Sequence, residues 1–153
     1  MKLFASQGVT PPAEQVEALK SMKLMTATDG VANYMVTRTV IGSEANLEEP
    51  GNRVAFYKGA VNGLVQKERG TLLYCSTFKA NGVEGVELSY KGVHKATGKL
   101  VVKYNRMLAL EKMVYVLAVY PVDKNDSTGG QLKDQRIKFF SSIACQPSPS
   151  SNR

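Results

Sequence analysis

The sequence predicts an α+β domain in which an antiparallel β-sheet packs against helices. Three observations support this class: short strand-like runs separated by tight-turn dipeptides, two amphipathic helical segments, and a length of 153 residues. Short strands joined by tight turns are typical of an antiparallel meander, and a chain of this length fits one domain with its own core. We predict a single domain over residues 1–144 and a disordered tail, rich in serine, over residues 145–153.

The N-terminal third predicts one hairpin after an ambiguous start. The segment KLFAS resembles a short strand, and PPAEQVEALKSM is either a helix that follows its two prolines or an extended connection. The next stretch predicts two strands around Asp29-Gly30, a dipeptide that favours tight hairpin turns. In the second of these strands, the even-numbered residues from Tyr34 to Val40 share one face.

The clearest helix is NRVAFYKGAVNGLVQKERG, which follows a polar connection. Its apolar residues recur at helical spacing on one face: Val54, Tyr57, Val61, Leu64 and Val65. Asn52 is the predicted N-cap and Gly70 the predicted stop. Gly59 and Gly63 weaken a helix, so their spacing of four residues predicts that another backbone segment packs closely there.

Four strands and a second helix complete the predicted domain. The strands are TLLYCSTFK, GVELSYKGVHK, KLVVKYNRMLAL and MVYVLAVYPV, and the first two are joined at Asn81-Gly82. The last strand is apolar on both faces, which predicts a central position in the sheet. The segment GQLKDQRIKFFSSI predicts an amphipathic helix whose apolar side holds Leu132, Phe139, Phe140 and Ile143.

The stretch GVEGVELSYKG, from Gly82 to Gly92, admits two interpretations. It is either a glycine loop that binds a phosphate or nucleic-acid backbone, or the entry to a β-strand. A phosphate loop leads into a helix and carries lysine with serine or threonine, and the loop of KH domains joins two helices. Here a strand follows, and the loop offers Val83 and Glu84. We therefore predict a hairpin turn and a strand whose glycine permits close backbone approach.

The net charge of +7 favours contact with acidic surfaces, nucleic acid and anionic lipid included. Lysine and arginine are nevertheless scattered, whereas a nucleic-acid site usually shows a clustered patch. One strand, KLVVKYNRM, alternates basic and apolar residues in the manner of a sheet face that holds single-stranded nucleic acid. Tyr104 lies there among apolar neighbours, so we do not expect a nucleic-acid partner.

No residue set in the sequence matches a catalytic or metal site. His94 lies in a predicted turn without a nucleophile-elbow pattern or an acidic partner, and one histidine with two distant cysteines makes no recognised metal spacing. Cys75 and Cys145 are predicted to be free, with Cys75 a small core residue. We expect neither a metal nor a cofactor, and no enzymatic activity.

A carboxylate pair from Glu84, Glu87 and Glu111 is the remaining route to hydrolytic chemistry. Glu87 alternates with apolar neighbours, which predicts a solvated position on its strand. We therefore predict a cross-strand salt bridge from Glu87 to Lys103 or Lys99.

The order of several segments resembles the PsbP-like family. These segments are FYKGAVNGL, NGVEGVELSY, GKLVVKYNRML, MVYVLAVYP and FFSSI. The family includes oxygen-evolving photosystem subunits, Ran-binding nuclear import factors and many bacterial proteins, and the resemblance runs from about Tyr34 to Ile143. It implies an α/β/α sandwich around an antiparallel sheet and an adaptor or assembly role without catalysis. Bacterial members, which this chain resembles most, are often exported or lipid-anchored.

We therefore expect a non-enzymatic protein-binding domain. The predicted binding surface is either a basic sheet face or the groove between the first helix and the sheet, and its candidate residues are Lys91, Lys99, Lys103 and Arg106. The alternative is a carrier of a small ligand or lipid, with a cavity between the Val54–Val65 helix and the sheet. No run approaches the roughly 20 apolar residues of a membrane span. The compartment stays open: cytoplasmic, or exported if a starting methionine replaced a signal.

Overall fold

The computed structural model describes residues 22–41, 46–94, 96–123, 125–126 and 128–142. The predictions for residues 1–21, for Ile143 and for the tail lie outside these residues. The described elements, in chain order, are β1 (Lys23–Thr28), β2 (Ala32–Val40), α1 (Pro50–Lys67), β3 (Thr71–Ala80), β4 (Val83–Val93), β5 (Leu100–Leu110), β6 (Met113–Pro121), a 3₁₀ turn (Gly130–Leu132) and α2 (Lys133–Ser142).

The strands form one antiparallel sheet in the order β1-β2-β6-β5-β4-β3. The strand β6 lies between β2 and β5, which confirms the central position predicted from its two apolar faces. The segment with α1 connects β2 to β3, at the far edge of the sheet. Neither helix described here is long and apolar enough to cross a membrane.

Two predicted hairpins are confirmed by their backbone angles. Asn81 and Gly82 have φ values of +50° and +81°, as a two-residue turn with both central residues left-handed requires. Gly30 has φ +87°, and the carboxylate of Asp29 accepts the N–H groups of Val31 and Ala32 at 3.0 and 2.9 Å. Local side-chain chemistry therefore fixes where these strands end.

The two helices cover opposite faces of the sheet. Tyr57 and Val61 of α1 belong to one buried cluster together with Leu88 and Met107 of the sheet. Phe140 of α2 belongs to a second cluster, which contains these other buried residues: Ala32, Leu117, Val119 and Leu132. Because adjacent residues of a strand point to opposite faces, the arrangement is helix on sheet on helix. This α+β architecture is the predicted one.

Two details of α1 differ from the prediction. The helix begins with Pro50 after Glu49 as the N-cap, without a side-chain cap, so Asn52 lies inside the first turn. Among the described residues, no atom lies within 4 Å of a β-carbon added at Gly59 or Gly63, so no backbone segment of this part of the chain packs against them. Both glycines lie on the exposed side of the helix, and Val54, expected to be buried, is 60% exposed.

The glycine-rich stretch is a hairpin turn followed by a strand, as predicted. At Gly85 an added β-carbon would lie 2.6 Å from the carbonyl oxygen of Met107 and 2.7 Å from the ring of Phe78. Real β-carbons do not approach other atoms so closely, so only glycine allows the Phe78 ring to lie over this part of β4. The stretch therefore serves close packing within the sheet.

Candidate binding groove between α1 and β3

An open groove runs between α1 and the β3–β4 hairpin, with a volume of about 260 Å³. The residues that line it are Val54, Tyr57, Lys58, Val61, Asn62, Leu72, Cys75, Thr77, Glu84 and Val86. The helix residues recur at spacings of three and four, which places them on one side of α1. The groove lies where the sequence predicted a helix–sheet surface, but it is open to solvent, unlike the cavity expected for a carrier.

A β-bulge shapes the floor of the groove on the β3 side. The pairing of β3 with β4 shifts register between Leu72 and Tyr74, so Leu73 is the extra residue. Leu72 pairs with Tyr90 and Cys75 with Leu88, which places both on the face that α1 covers. In a regular strand, residues three apart would point to opposite faces. No residue pattern in the sequence signals this bulge.

Hydrogen bonds from two α1 side chains hold the helix against the sheet at one end of the groove. The hydroxyl of Tyr57 donates to the carbonyl oxygen of Glu84 and accepts the N–H of Ala109, both at 2.9 Å. Arg53 donates to the carbonyl oxygens of Ala109 at 2.9 Å and Leu47 at 3.1 Å. The contacts to Glu84 and Ala109 satisfy backbone groups beyond the last β4–β5 pair, Val86 with Met107. The wall formed by α1 is therefore rigidly positioned.

Two apolar side chains that line the groove are exposed. Leu72 on β3 is 42% and Val54 on α1 is 60% exposed. Leu73 and Tyr74 follow Leu72 and are also exposed, but they do not line the groove, and Tyr74 pairs with Ser89 on the face that α2 covers. An exposed apolar cluster beside a groove is typical of an interaction site.

Cys75 lies in this groove with its thiol free, and not in the core as predicted. Because β3 is an edge strand, its face is only partly covered by α1. Partial burial raises the pKa of the Cys75 thiol above its usual value. A raised pKa leaves less thiolate near neutral pH, so the position favours packing over nucleophilic chemistry. The predicted absence of pairing with Cys145 is not tested, since Cys145 lies outside the described residues.

Lys103, a predicted site residue, is buried. Its ammonium group contacts the carboxylate of Glu68, at the end of α1, at 2.5 Å and lies 5.7 Å from the centre of the Tyr120 ring. Lys103 is 8% exposed. It therefore connects the helix to the sheet beneath the surface.

Arg106 lies on the opposite face of the sheet, next to α2. Its guanidinium group contacts Glu87 at 2.6 Å and lies between the rings of Phe78 and Phe140, at 4.5 and 4.8 Å from their centres. The prediction that Glu87 forms a salt bridge with Lys103 or Lys99 was wrong. The register pairs Glu87 directly with Arg106, and the side chains of opposed residues meet.

Lys91 and Lys99 are exposed, but on separate parts of the surface. Lys91 is on the face that carries Arg106, and its strand neighbour is Thr71 of β3. Lys99 lies in the turn before β5 and donates a hydrogen bond to the side chain of Asn125 at 2.8 Å. Lys91, Lys99, Lys103 and Arg106 therefore do not form one basic face.

A second groove, of about 420 Å³, lies between the β1–β2 hairpin and α2. The hydroxyl of Tyr34 donates to the carboxylate of Asp29 at 2.5 Å there. Burial, and secondly the nearby carboxylate, raise the pKa of Tyr34 to about 12, while this hydrogen bond and backbone N–H groups lower the pKa of Asp29. Tyr34 and Asp29 thus satisfy each other, and the other polar residues that line this groove are Asp134, Gln135, Lys138 and Ser142.

The described residues contain no cluster of three or more potential metal ligands. His94, the single histidine, follows β4, and its ring Nδ1 accepts the backbone N–H of Ala96 at 3.3 Å. This local turn contact agrees with the predicted turn position of His94.

No protein-family model matches the sequence. No curated protein matches it either. Among solved structures, the fold is similar to PA94 from Pseudomonas aeruginosa, a protein of unknown function, with a TM-score of 0.55 and 11% identity over 84% of this chain and 85% of that one. The chain is also structurally similar to the cyanobacterial PsbP (CyanoP) of Synechocystis sp. PCC 6803, with a TM-score of 0.42 and 14% identity over 80% and 78%. The chain thus shares the fold of PA94, an α+β sheet flanked by helices.

Proposed function

We propose that this chain is a non-enzymatic protein-binding domain whose binding site is the groove between α1 and β3. The observation that carries the proposal is the exposure of two apolar side chains that line the open groove, Leu72 on β3 and Val54 on α1. Exposed apolar surface beside a groove costs solvation free energy, and a bound protein segment would recover it. An adaptor role of this kind is also what the PsbP-like resemblance implies.

The shape of the groove favours a protein segment over a carried small molecule. Carried ligands usually occupy enclosed pockets of about 300–1,000 Å³, which bury most of the ligand. The groove, at about 260 Å³, is smaller than that range and is open to solvent along β3. A few side chains of a partner fit such a site, whereas a lipid chain would stay largely exposed.

The chemistry of the groove favours binding over catalysis. Cys75 carries the one thiol among the described residues that line the groove, and partial burial raises its pKa above the usual value. No histidine stands beside it to act as a general base, and the Tyr57 hydroxyl is already engaged with backbone groups. The groove therefore lacks the paired nucleophile and base of acyl-transfer sites.

Cys75 provides a direct test of the site. In a Cys145→Ser background, Cys75 is labelled with a photoactivatable benzophenone maleimide at about pH 7.5 over a long reaction time, because a thiol of raised pKa ionises only in part and amines compete at higher pH. The labelled protein is irradiated in extracts of the cells that make it. The matched control carries the label at Ile137→Cys in a background with both Cys75→Ser and Cys145→Ser, since Ile137 is exposed on α2, across the sheet.

The expected result is one discrete cross-linked protein from Cys75 that is absent from the Ile137 control. Val54→Asp, at an exposed position on the groove rim, should reduce that product at least tenfold because it places a charge on apolar surface. Identical products from both label positions, or products insensitive to Val54→Asp, would reject the groove as a protein-binding site. Retention of a small molecule in native mass spectrometry, lost in Val54→Asp, would favour the carrier function.

A further inference from the structure

We propose that the partner binds by adding a β-strand to the free edge of β3, and that this partner strand carries acidic residues at its ends. The inference rests on the proposed function, since the added strand would lie along the rim of the same groove. It goes further by naming the binding mode and the chemistry of the occupant.

The outer edge of β3 is free among the described strands. The strand has ten residues and pairs only with β4, so its other side has no neighbour in the sheet. Five consecutive residues, from Thr71 to Cys75, are exposed. Edge strands are normally protected by short length, proline or several charges. Only Lys79 and the bulge at Leu73 serve that purpose in β3.

The segment beyond the bulge has regular geometry for strand addition. Cys75 to Ala80 pair with β4 without a register shift. In an antiparallel ladder alternate residues direct both N–H and C=O to the same side, so three of these six residues direct theirs outward. These groups supply the main-chain hydrogen bonds through which extended peptides bind sheet edges.

Charge indicates the partner's chemistry. Among the described residues only two ion pairs occur, Lys103 with Glu68 and Arg106 with Glu87. Lys58 lines the middle of the groove and forms neither pair.

Lys67 precedes the start of β3, and Lys79 lies near its end. Glu84, opposite Lys79 in the register, is the one carboxylate among the described residues that line the groove. Within the described residues Lys67 and Lys79 belong to no ion pair, so β3 has an unpaired lysine near each end, and this arrangement complements a segment that is acidic at both ends. The net charge of +7 disfavours a second copy of this chain as the occupant.

Three fluorescein-labelled nonapeptides test the proposal. The acidic probe has the sequence Glu-Glu-Val-Thr-Val-Thr-Val-Glu-Glu, in which the valines share one face of an extended strand. The basic probe replaces every glutamate by lysine. The third probe keeps the acidic ends but groups the valines, which removes the alternation. Binding is measured by fluorescence anisotropy at about 50 mM and about 500 mM salt, because exposed charge interactions weaken with salt.

The expected result is that the acidic alternating probe binds at least tenfold more tightly than either other probe at low salt. It should also slow amide hydrogen exchange of alternate residues between Cys75 and Ala80. Ser76→Pro and Thr77→Pro form a matched pair, since one removes an N–H bonded to β4 and the other an outward N–H. The variant that keeps the wild-type melting temperature should lose probe binding at least tenfold.

The outcomes separate this inference from the proposed function. A groove-specific cross-link from Cys75, with no slowing of β3 amide exchange by any probe, would overturn strand addition while the protein-binding function stands. Slowed exchange without a groove-specific cross-link would support strand addition and reject the proposed function. Equal binding of the acidic and basic probes would overturn the acidic partner. Concentration-dependent protection of β3 in the protein alone would instead identify a second copy as the occupant.

Discussion

The hydroxyl of Tyr57 accepts the backbone N–H of Ala109 at 2.9 Å, a contact between a helix side chain and a strand that are 52 residues apart in the chain. The same hydroxyl donates to the carbonyl oxygen of Glu84 at 2.9 Å. It thus takes the place of a ladder contact where β4 and β5 no longer pair. Because this position forms one end of the groove, the Tyr57 hydroxyl contributes both to helix docking, together with Arg53, and to the shape of the groove.

We expect Tyr57→Phe to lower the free energy of unfolding by about 1–3 kcal/mol, because the N–H of Ala109 would lose its partner in a buried site. Urea unfolding followed by circular dichroism measures the change. Tyr74→Phe is the control, since Tyr74 is exposed on β3 and should change stability little. Equal effects of the two substitutions would contradict a special role for the Tyr57 hydroxyl.

The pair between Lys103 and Glu68 gives a second prediction. Both side chains are largely buried, so Glu68→Gln leaves an ammonium group without its counterion in a dry site. We expect a loss of about 3–5 kcal/mol in the free energy of unfolding.

The double variant Glu68→Leu with Lys103→Met should be more stable than Glu68→Gln, because apolar side chains of similar size avoid the cost of burying a charge. Thermal and urea unfolding of the three proteins measure the comparison. If Glu68→Gln unfolds like the wild type, solvent must already screen the pair.

Most of the fold follows from local signals in the sequence. The turns at Asp29-Gly30 and Asn81-Gly82 define strand ends because their backbone conformations suit few other residues. The apolar faces of β6 predicted its interior place, since a strand with neighbours on both sides and helices over both faces excludes water. These features depend on residues close in the chain.

The site depends on features that are not local. Whether Glu87 meets Arg106 or Lys103 is set by the register of β4 on β5, and a shift changes every opposed pair. The groove depends on the bulge at Leu73, which brings Leu72 and Cys75 to the same face, and Cys75 is outside its predicted core position because β3 is an edge strand. The helix-sheet groove was predicted at the level of its elements. The exposed position of Leu72 in the groove and the lysines near the two ends of β3 were not predicted.

The Tyr34–Asp29 hydrogen bond predicts that the free energy of unfolding falls at both low and high pH. The pKa of Asp29 is lowered in the folded protein, so the pair's contribution is present above pH 3.8 and is lost as pH falls through the lowered pKa. The pKa of Tyr34 is raised from 10.0 to about 12, so the contribution is complete below pH 10 and is lost as pH rises through about 12.

Tyrosine ¹³Cζ NMR resolves the titration of Tyr34 from that of the other tyrosines. We expect Asp29→Asn to move the pKa of Tyr34 only part of the way back towards 10.0, because burial is the larger cause of its shift. Asp134→Asn, in the same groove, is the control and should leave it unchanged. A complete return of the Tyr34 pKa in Asp29→Asn would mean that the carboxylate, and not burial, dominates.

Two glycine substitutions should have opposite effects on stability. At Gly85 a methyl group would meet the Met107 carbonyl at 2.6 Å and the Phe78 ring at 2.7 Å, so Gly85→Ala forces the backbone or the ring to move. We expect it to lower the free energy of unfolding by about 1–3 kcal/mol.

Gly59, in contrast, lies in an exposed part of α1 with open space around it. Gly59→Ala should raise the free energy of unfolding by about 0.5–1 kcal/mol, because alanine loses less conformational freedom in a helix. Parallel urea unfolding of both variants measures the two signs. A stabilising Gly85→Ala would show that Phe78 does not lie over β4, and the close packing that explains this glycine-rich stretch would then be wrong.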